Sequence, residues 1–151
     1  MKFFLMRHGE AEHSASSDAK RHLTTNGIKS VRGRVNQYSE DLSEIDLIIH
    51  SPYLRTIQTS EIIADSLNLS LALVESALWT PDSDPLVALE SLAHHSQSTP
   101  IIVTHMPLIS IVEALCCEGV ISYPRSFSCA EIAEITADWP AAGLGSLIRR
   151  F

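Results

Sequence analysis

The sequence lacks a long apolar run and a cysteine framework. None of its hydrophobic stretches approaches the roughly 18 residues that span a bilayer, and the segment before Arg7 is too short for a signal peptide. We therefore expect a cytoplasmic protein that makes no membrane contact. Its three cysteines, of which Cys116 and Cys117 are adjacent, have neither disulfide nor C-x-x-C metal spacing, so we expect reduced thiols in a core.

Basic residues and metal-ligand clusters are also scarce. The formal net charge is -7, and nucleic-acid binding requires a basic surface, so we expect no nucleic-acid partner. Aspartate and glutamate form no cluster at metal-ligand spacing. We therefore expect neither a metal nor another cofactor.

What the sequence does contain is typical of one globular α/β domain over residues 1–151. A chain of 151 residues with 45% hydrophobic content can bury roughly two-thirds of its unfolded surface. Short apolar runs alternate with helical patterns. They predict strands at 2–6, 45–50, 71–75 and 100–105, and two later strands joined by a turn within 128–136 and 146–151.

Capping residues predict where the helices begin. The first helix is entered at Thr24 or Thr25. Ser51 and Asp84 are predicted N-caps, each followed by a proline at the first helical position. Another helix is predicted to start at Pro107, with an apolar face at Leu108, Ile111, Val112 and Leu115, and the helix after Asp84 should present Leu86, Leu89 and Ala93.

Basic and imidazole groups follow three of the apolar strands directly. Arg7 and His8 follow the first strand, His50 and then Arg55 follow the second, and His105 follows "IIVT". Ligands of open α/β sheets bind outside the carboxyl ends of the strands. We therefore expect these groups to share one crevice. His50 is the exception, because Ser51 and Pro52 explain that junction as a helix start, which is the favoured interpretation.

The crevice has the chemistry of a phosphate site. Two arginine forks suit a tetrahedral dianion, and Gly9 would let the backbone approach the ligand. Because a neutral imidazole is a competent nucleophile, His8 is the predicted acceptor of a covalent phosphoryl group. Arg7, Arg55 and a protonated His105 would stabilise the charge in flight.

The other histidines lack such a setting. His13, His22, His94 and His95 follow no buried strand, so we interpret them as solvated.

Three motifs give a family resemblance over nearly the whole chain. "LMRHGEA", "SPYLRTIQT" and "VTHMP" resemble, in order and spacing, the signatures of the histidine phosphatase superfamily. The resemblance implies a three-layer α/β/α fold of the phosphoglycerate mutase type, with a mostly parallel sheet. "RHLTTNG" and the short chain are most similar to the bacterial SixA-type phosphohistidine phosphatases, which implies that Arg21 also contacts the phosphate.

One departure from the family concerns the general acid. Many members that cleave phosphate esters place an acidic residue after the third strand, where this chain offers only Glu75, Asp82 and Asp84, in no pattern of that kind. An ester needs such an acid, whereas the labile P–N bond of phosphohistidine does not. Glu10 and Glu12, near His8, would repel an acidic partner or orient the ring.

These observations leave three hypotheses. The first is a metal-independent phosphatase for phosphohistidine on a signalling protein such as a histidine-containing phosphotransfer domain, because so short a chain has little material for a lid over a small substrate. The second is a phosphomonoesterase or mutase for small phosphometabolites, with Asp82 or Glu75 as acid. The third is a module that binds phosphate or phosphohistidine without turnover. We expect a monomer.

Overall fold

A six-stranded sheet lies between two pairs of helices in the computed structural model, which describes residues 1–68, 72–121 and 124–151. The strands are β1 (Lys2–Arg7), β2 (Leu47–His50), β3 (Ala72–Glu75), β4 (Pro100–Thr104), β5 (Ile132–Ala137) and β6 (Gly145–Arg150), in the order β3-β2-β4-β1-β5-β6. The first four run parallel, and β5 and β6 are antiparallel. Leu71, the first residue of the third predicted strand, lies outside the described residues.

The helices cover both faces of the sheet. Helices α1 (Thr25–Gln37) and α2 (Leu54–Leu67) pack on one face, and α3 (Pro85–Ser91) and α4 (Leu108–Glu118) pack on the other. Each face of the sheet has its own hydrophobic core. Side chains alternate along β1 because a strand has a period of two, so Phe4 and Met6 pack in the core under α1 and α2, and Phe3 and Leu5 pack in the core under α3 and α4. The predicted three-layer fold is confirmed.

Two predicted helix starts are confirmed. The Thr24 hydroxyl accepts a hydrogen bond from the Gly27 amide at 2.9 Å, and Asp84 accepts from the amides of Leu86 and Val87 at 2.9 and 3.2 Å. Each side chain satisfies helix-terminal N–H groups that have no partner within the helix.

The predicted Ser51 cap is wrong, and the Pro107 start is displaced by one residue. Helix α2 begins at Leu54 with Tyr53 at its N-cap. The pairing of β2 with β4 continues through Ser51, whose amide donates to the Val103 carbonyl at 3.3 Å. Pro107 is the N-cap of α4, so that helix begins one residue later than predicted.

The predicted apolar face after Asp84 is also wrong in part. Leu86 is exposed, and the buried residues are Ala88, Leu89 and Leu92. Helix α3 ends at Ser91 and continues as a 3-10 turn, which changes the periodicity. Of the three cysteines, which are free, Cys116 alone is buried.

No helix within the described residues has the length and apolar character needed to cross a membrane.

Two glycines allow α1 to approach the loop that follows β1. A Cβ at Gly27 would lie 2.1 Å from the carbonyl oxygen of Glu10, and a Cβ at Gly9 would lie 2.7 Å from Val31. These contacts leave no room for a methyl group at either position. The packing of α1 therefore determines where the main chain passes after β1.

Gly27→Ala should lower the free energy of unfolding by about 1–3 kcal/mol, because the loop and the helix must separate to admit the methyl group. Gly33→Ala lies in the same helix, where an added Cβ meets nothing within 4 Å, and should raise stability by roughly 0.5–1 kcal/mol. Urea denaturation measures both variants. Equal stabilisation by the two substitutions would contradict the close approach.

Candidate active site

The carboxyl ends of β1 and β4 bring two histidines together. Arg7 is paired with Thr104 in the sheet, so His8 and His105 follow neighbouring strand ends. The amide of His8 donates to the Thr104 carbonyl at 3.1 Å, and the two imidazole centroids are 5.1 Å apart. The crevice expected from the strand ends therefore forms between these rings.

Hydrogen bonds determine the tautomer of the buried residue His8, which is 7% exposed. Its Nδ1 lies 2.6 Å from the carbonyl oxygen of Gly9. Because a carbonyl only accepts, Nδ1 carries the hydrogen and Nε2 keeps its lone pair. The Nε–H of Arg55 donates to that Nε2 at 3.2 Å, so the unprotonated nitrogen lies beside a guanidinium.

Burial keeps the His8 ring neutral. Loss of solvation lowers the pKa of His8 to about 4, and the positive charges of Arg55, Arg7 and Arg21 contribute to the shift, while the hydrogen bond to Gly9 opposes it. At neutral pH the ring is an uncharged imidazole. It therefore has the protonation state that a nucleophile requires.

In this crevice the pKa of His105 is lowered, which disfavours the protonated ring, and a charged His105 during phosphoryl transfer stays a prediction. The residue is 1% exposed, and burial, followed by the influence of His8 and Arg55, lowers its pKa to about 2. Neither of its ring nitrogens has a hydrogen-bond partner among the described residues. Because buried polar atoms are rarely unsatisfied, this ring is suited to a ligand in the crevice.

In the Arg7 guanidinium, one nitrogen has a hydrogen-bond partner and another has none within the described residues. Its Nη1 donates to the carbonyl of Phe127 at 2.6 Å, whereas its buried Nε has no partner in the part of the chain that the structure describes. A second donor is therefore available for a ligand beside the two histidines.

Asp18 lies between Arg55 and Arg21, which sequence reasoning missed. Arg55, 3% exposed, donates to the Asp18 carbonyl at 2.7 Å and to its Oδ2 at 3.0 Å. Arg21 donates to Oδ1 at 2.8 Å. The hydrogen bond from Arg21 is the chief cause of a lowered pKa for Asp18. The spacing of three residues between Asp18 and Arg21 was the available signal in the sequence.

The first turns of helix α2 carry polar side chains that bond to the loop after β1 and to the helix itself. Besides Arg55, Gln58 accepts from the Leu23 amide at 2.8 Å, and Thr59 accepts from the Gly9 amide at 3.2 Å and donates to the Arg55 carbonyl at 2.7 Å. One helix face thus connects the loop after β1 to the arginine.

The predicted reason for Gly9 is wrong. The space that its Cβ would occupy is filled by Val31 and by the Gly27 carbonyl, and its amide donates to Thr59. Glycine is required here by packing against α1, and a contact between Gly9 and substrate stays a prediction.

The acidic residues near the motifs form no hydrogen bond to a crevice histidine through their carboxylates within the described residues. Asp84 caps α3, and Glu10 accepts from the Thr24 hydroxyl at 2.7 Å. The side chain of Glu12 is exposed, and its carbonyl accepts from Arg21. Glu75 and Asp82 are exposed, and within the described residues neither is hydrogen-bonded to a crevice histidine or arginine.

The remaining histidines differ in exposure. His50 is buried, and its Nδ1 bonds the Ser51 carbonyl at 2.9 Å, while His13, His22 and His94 are exposed and His95 is half-buried. Within residues 1–68, 72–121 and 124–151, no group of three or more His, Cys, Asp and Glu side chains is placed to hold a metal ion.

The free energy of unfolding should fall on acidification below pH 6.5. Unfolded histidines titrate near 6.5, whereas the folded values are about 4 for His8 and about 2 for His105. Between these values the unfolded state binds protons that the folded state does not, so each histidine contributes a loss of about 1.4 kcal/mol per pH unit. The full contribution is present above pH 6.5.

Urea denaturation near pH 7 and near pH 5 measures this loss. His105→Asn removes one of the two groups and should reduce the pH slope by about half, whereas His94→Asn, at an exposed position, serves as the control. An unchanged slope in His105→Asn would contradict a neutral buried ring.

Comparison with known proteins agrees with this geometry. The histidine phosphatase superfamily (branch 1) matches residues 3–77. The chain is 36% identical over 141 residues to phosphohistidine phosphatase SixA of Escherichia coli K12, covering 91% of this chain and 86% of that protein. A SixA homolog of Haemophilus influenzae is 33% identical over 125 residues, 76% of each chain.

A solved structure extends the comparison to the whole fold. The structure of the protein histidine phosphatase SixA complexed with tungstate superposes with a TM-score of 0.88 at 32% identity, covering 100% of this chain and 96% of the other. The chain belongs to the histidine phosphatase superfamily.

Proposed function

We propose that this protein is a cytoplasmic, metal-independent phosphatase that removes phosphate from a histidine of a signalling or phosphotransfer protein. The observation that carries the proposal is the His8 ring, neutral and held by the Gly9 carbonyl so that the Nε2 lone pair lies beside Arg55. An imidazole in this state can accept a phosphoryl group directly.

The unsatisfied donors of the crevice suit the oxygens of that group. The buried Nε of Arg7 and the ring of His105 have no partner in the described chain, and a neutral imidazole still carries one N–H. Arg55 and Arg21 offer further donors now held by Asp18. Together they would distribute the negative charge of the transferring phosphoryl group over several hydrogen bonds.

The reaction proceeds in two displacements. The Nε2 lone pair of His8 forms a bond to phosphorus while the P–N bond of the substrate breaks, and the leaving ring, protonated beforehand, departs as neutral imidazole. Water then attacks phospho-His8, its oxygen bonds to phosphorus, and Nε2 recovers its lone pair as inorganic phosphate forms. Arg7, Arg55 and His105 stabilise both displacements.

Phosphohistidine is favoured over a phosphate ester by two observations. The relatives from E. coli and H. influenzae are phosphohistidine phosphatase SixA and a homolog of it. In the described part of this chain, Glu75, Asp82 and Asp84 form no hydrogen bond to the crevice side chains, and an alkoxide leaving group would need an acid there. We infer that the substrate is a phosphohistidine that protrudes from another protein, such as that of a histidine-containing phosphotransfer domain, and that the chain acts as a monomer.

Phosphate release should occur from a phosphohistidine-bearing phosphotransfer domain in the presence of EDTA. It should be lost in His8→Ala, because within the described residues no other imidazole accepts a hydrogen bond from Arg55. A phosphoserine peptide should release at least about a hundredfold more slowly, since the ester lacks a general acid. His94→Ala, at an exposed position, is the matched control and should retain full activity.

Preferential release from the ester would replace this proposal with a general phosphomonoesterase. Binding of phosphohistidine without release from either substrate would leave a phosphate-holding module.

Asp18→Ala should tighten the binding of inorganic phosphate by about fivefold. Asp18 and phosphate would compete for Arg55 and Arg21, and an ion pair whose carboxylate is as exposed as that of Asp18 is worth up to about 1 kcal/mol. Titration calorimetry measures the dissociation constant. Asp41→Ala removes a comparable pair with Arg149 and should change nothing, whereas weaker binding in Asp18→Ala would show that Asp18 orients the arginines.

A further inference from the structure

Residues 124–131, here called the 124–131 loop, surround Arg7 on two sides. The Arg7 amide donates to the Glu131 carbonyl at 3.1 Å, and the Ala130 amide donates to the carbonyls of Arg7 and His8 at 3.1 and 3.2 Å. The Phe127 carbonyl accepts from the Arg7 guanidinium at 2.6 Å. The direction of that guanidinium therefore depends on where the loop places one carbonyl group.

Arg150, the last residue of β6, contacts this loop through its guanidinium. Its guanidinium lies over the buried Phe127 ring, 4.0 Å from the centroid. Its Nη1 donates to the Ser126 carbonyl at 3.0 Å and to Glu131 at 3.3 Å. Glu131 also accepts from the Ser128 amide at 2.6 Å. Arg150 thus contacts the residue before Phe127, the Phe127 ring and Glu131 at the end of the loop.

Glu113 fixes the orientation of Arg150. It lies on α4, is 4% exposed, and accepts from Nε of Arg150 at 3.2 Å and also from Nη2. Removing the partner of a buried carboxylate leaves an uncompensated charge. The bidentate pair therefore holds the guanidinium in the position from which it reaches the loop.

We propose that Arg150 is a positioning residue for Arg7, acting through Ser126 and Phe127 of the 124–131 loop, with Glu113 as its buried counter-ion. The inference rests on the proposed function in that Arg7 binds the transferred phosphoryl group. The contacts that support it do not involve the crevice histidines, since Arg150 forms no hydrogen bond to a crevice side chain in the described residues.

Loss of Arg150 should weaken phosphate binding and slow turnover together. A small displacement of a binding group costs up to about a hundredfold in rate, and here the displaced group is one of several donors. We expect the dissociation constant of inorganic phosphate to rise and kcat/KM for phosphohistidine to fall, each by about tenfold.

Arg150→Met combined with Glu113→Gln tests this without leaving a buried charge unpaired. The matched control is Arg149→Met, because Arg149 is the adjacent residue and forms equally close bonds to Glu134 and Asp41, with no contact to the 124–131 loop within the described residues. Thermal unfolding, phosphate calorimetry and the separate values of kcat and KM are measured for each, at a temperature where every variant is folded.

Arg150→Lys is a second test that needs no partner substitution. Lysine retains the positive charge opposite Glu113 but cannot bond Ser126, Glu131 and Glu113 together. It should unfold near the temperature of the unaltered chain and still bind phosphate more weakly. A merely structural role would move the unfolding temperature and leave the dissociation constant unchanged.

Weaker phosphate binding in the double variant and in Arg150→Lys, with Arg149→Met unchanged, supports the proposal. Binding equal to that of the unaltered chain in either folded variant overturns it. Because inorganic phosphate is the probe, a chain that binds phosphate but does not hydrolyse phosphohistidine would contradict the proposed function alone. A chain that binds no phosphate would contradict both.

Discussion

The hydrogen bond between Nδ1 of His8 and the Gly9 carbonyl is the contact on which the site depends. It places the imidazole hydrogen on Nδ1, and only then can Nε2 accept from Arg55. The position of that carbonyl depends in turn on the passage of the main chain against α1, where Gly27 leaves room for Glu10. Helix packing and the tautomer of His8 are therefore coupled.

Part of the positive charge around the crevice is neutralised within the chain itself. Burial keeps His8 and His105 neutral, so the positive charge comes from arginines whose state does not change with pH. Asp18 neutralises part of it. If a phosphoryl group replaced the Asp18 carboxylate, Arg55 and Arg21 would have an anionic partner both before and after binding. This limits the free-energy cost of leaving a buried cation unpaired.

The sequence predicted the elements that depend on local patterns and left out those that depend on tertiary contacts. The placement of His8 and His105 at strand ends followed from apolar runs and the geometry of parallel sheets. The Ser51 cap is wrong because pairing with β4 continues through Ser51, and α2 begins only at Leu54. Asp18 and Arg55 are 37 positions apart, as are Glu113 and Arg150, so neither contact has a signature in local spacing. The charge of His105 is set by burial, which also arises only in the folded chain.

The most direct test of the account is the position of phosphate on the enzyme during turnover. Rapid quenching followed by phosphorus and nitrogen NMR of the phosphorylated chain distinguishes the two ring nitrogens of His8. Transient phosphate on Nε2, with Nδ1 still bearing hydrogen, is the predicted result. Phosphate on Nδ1, or turnover without any protein-bound phosphate, would contradict it.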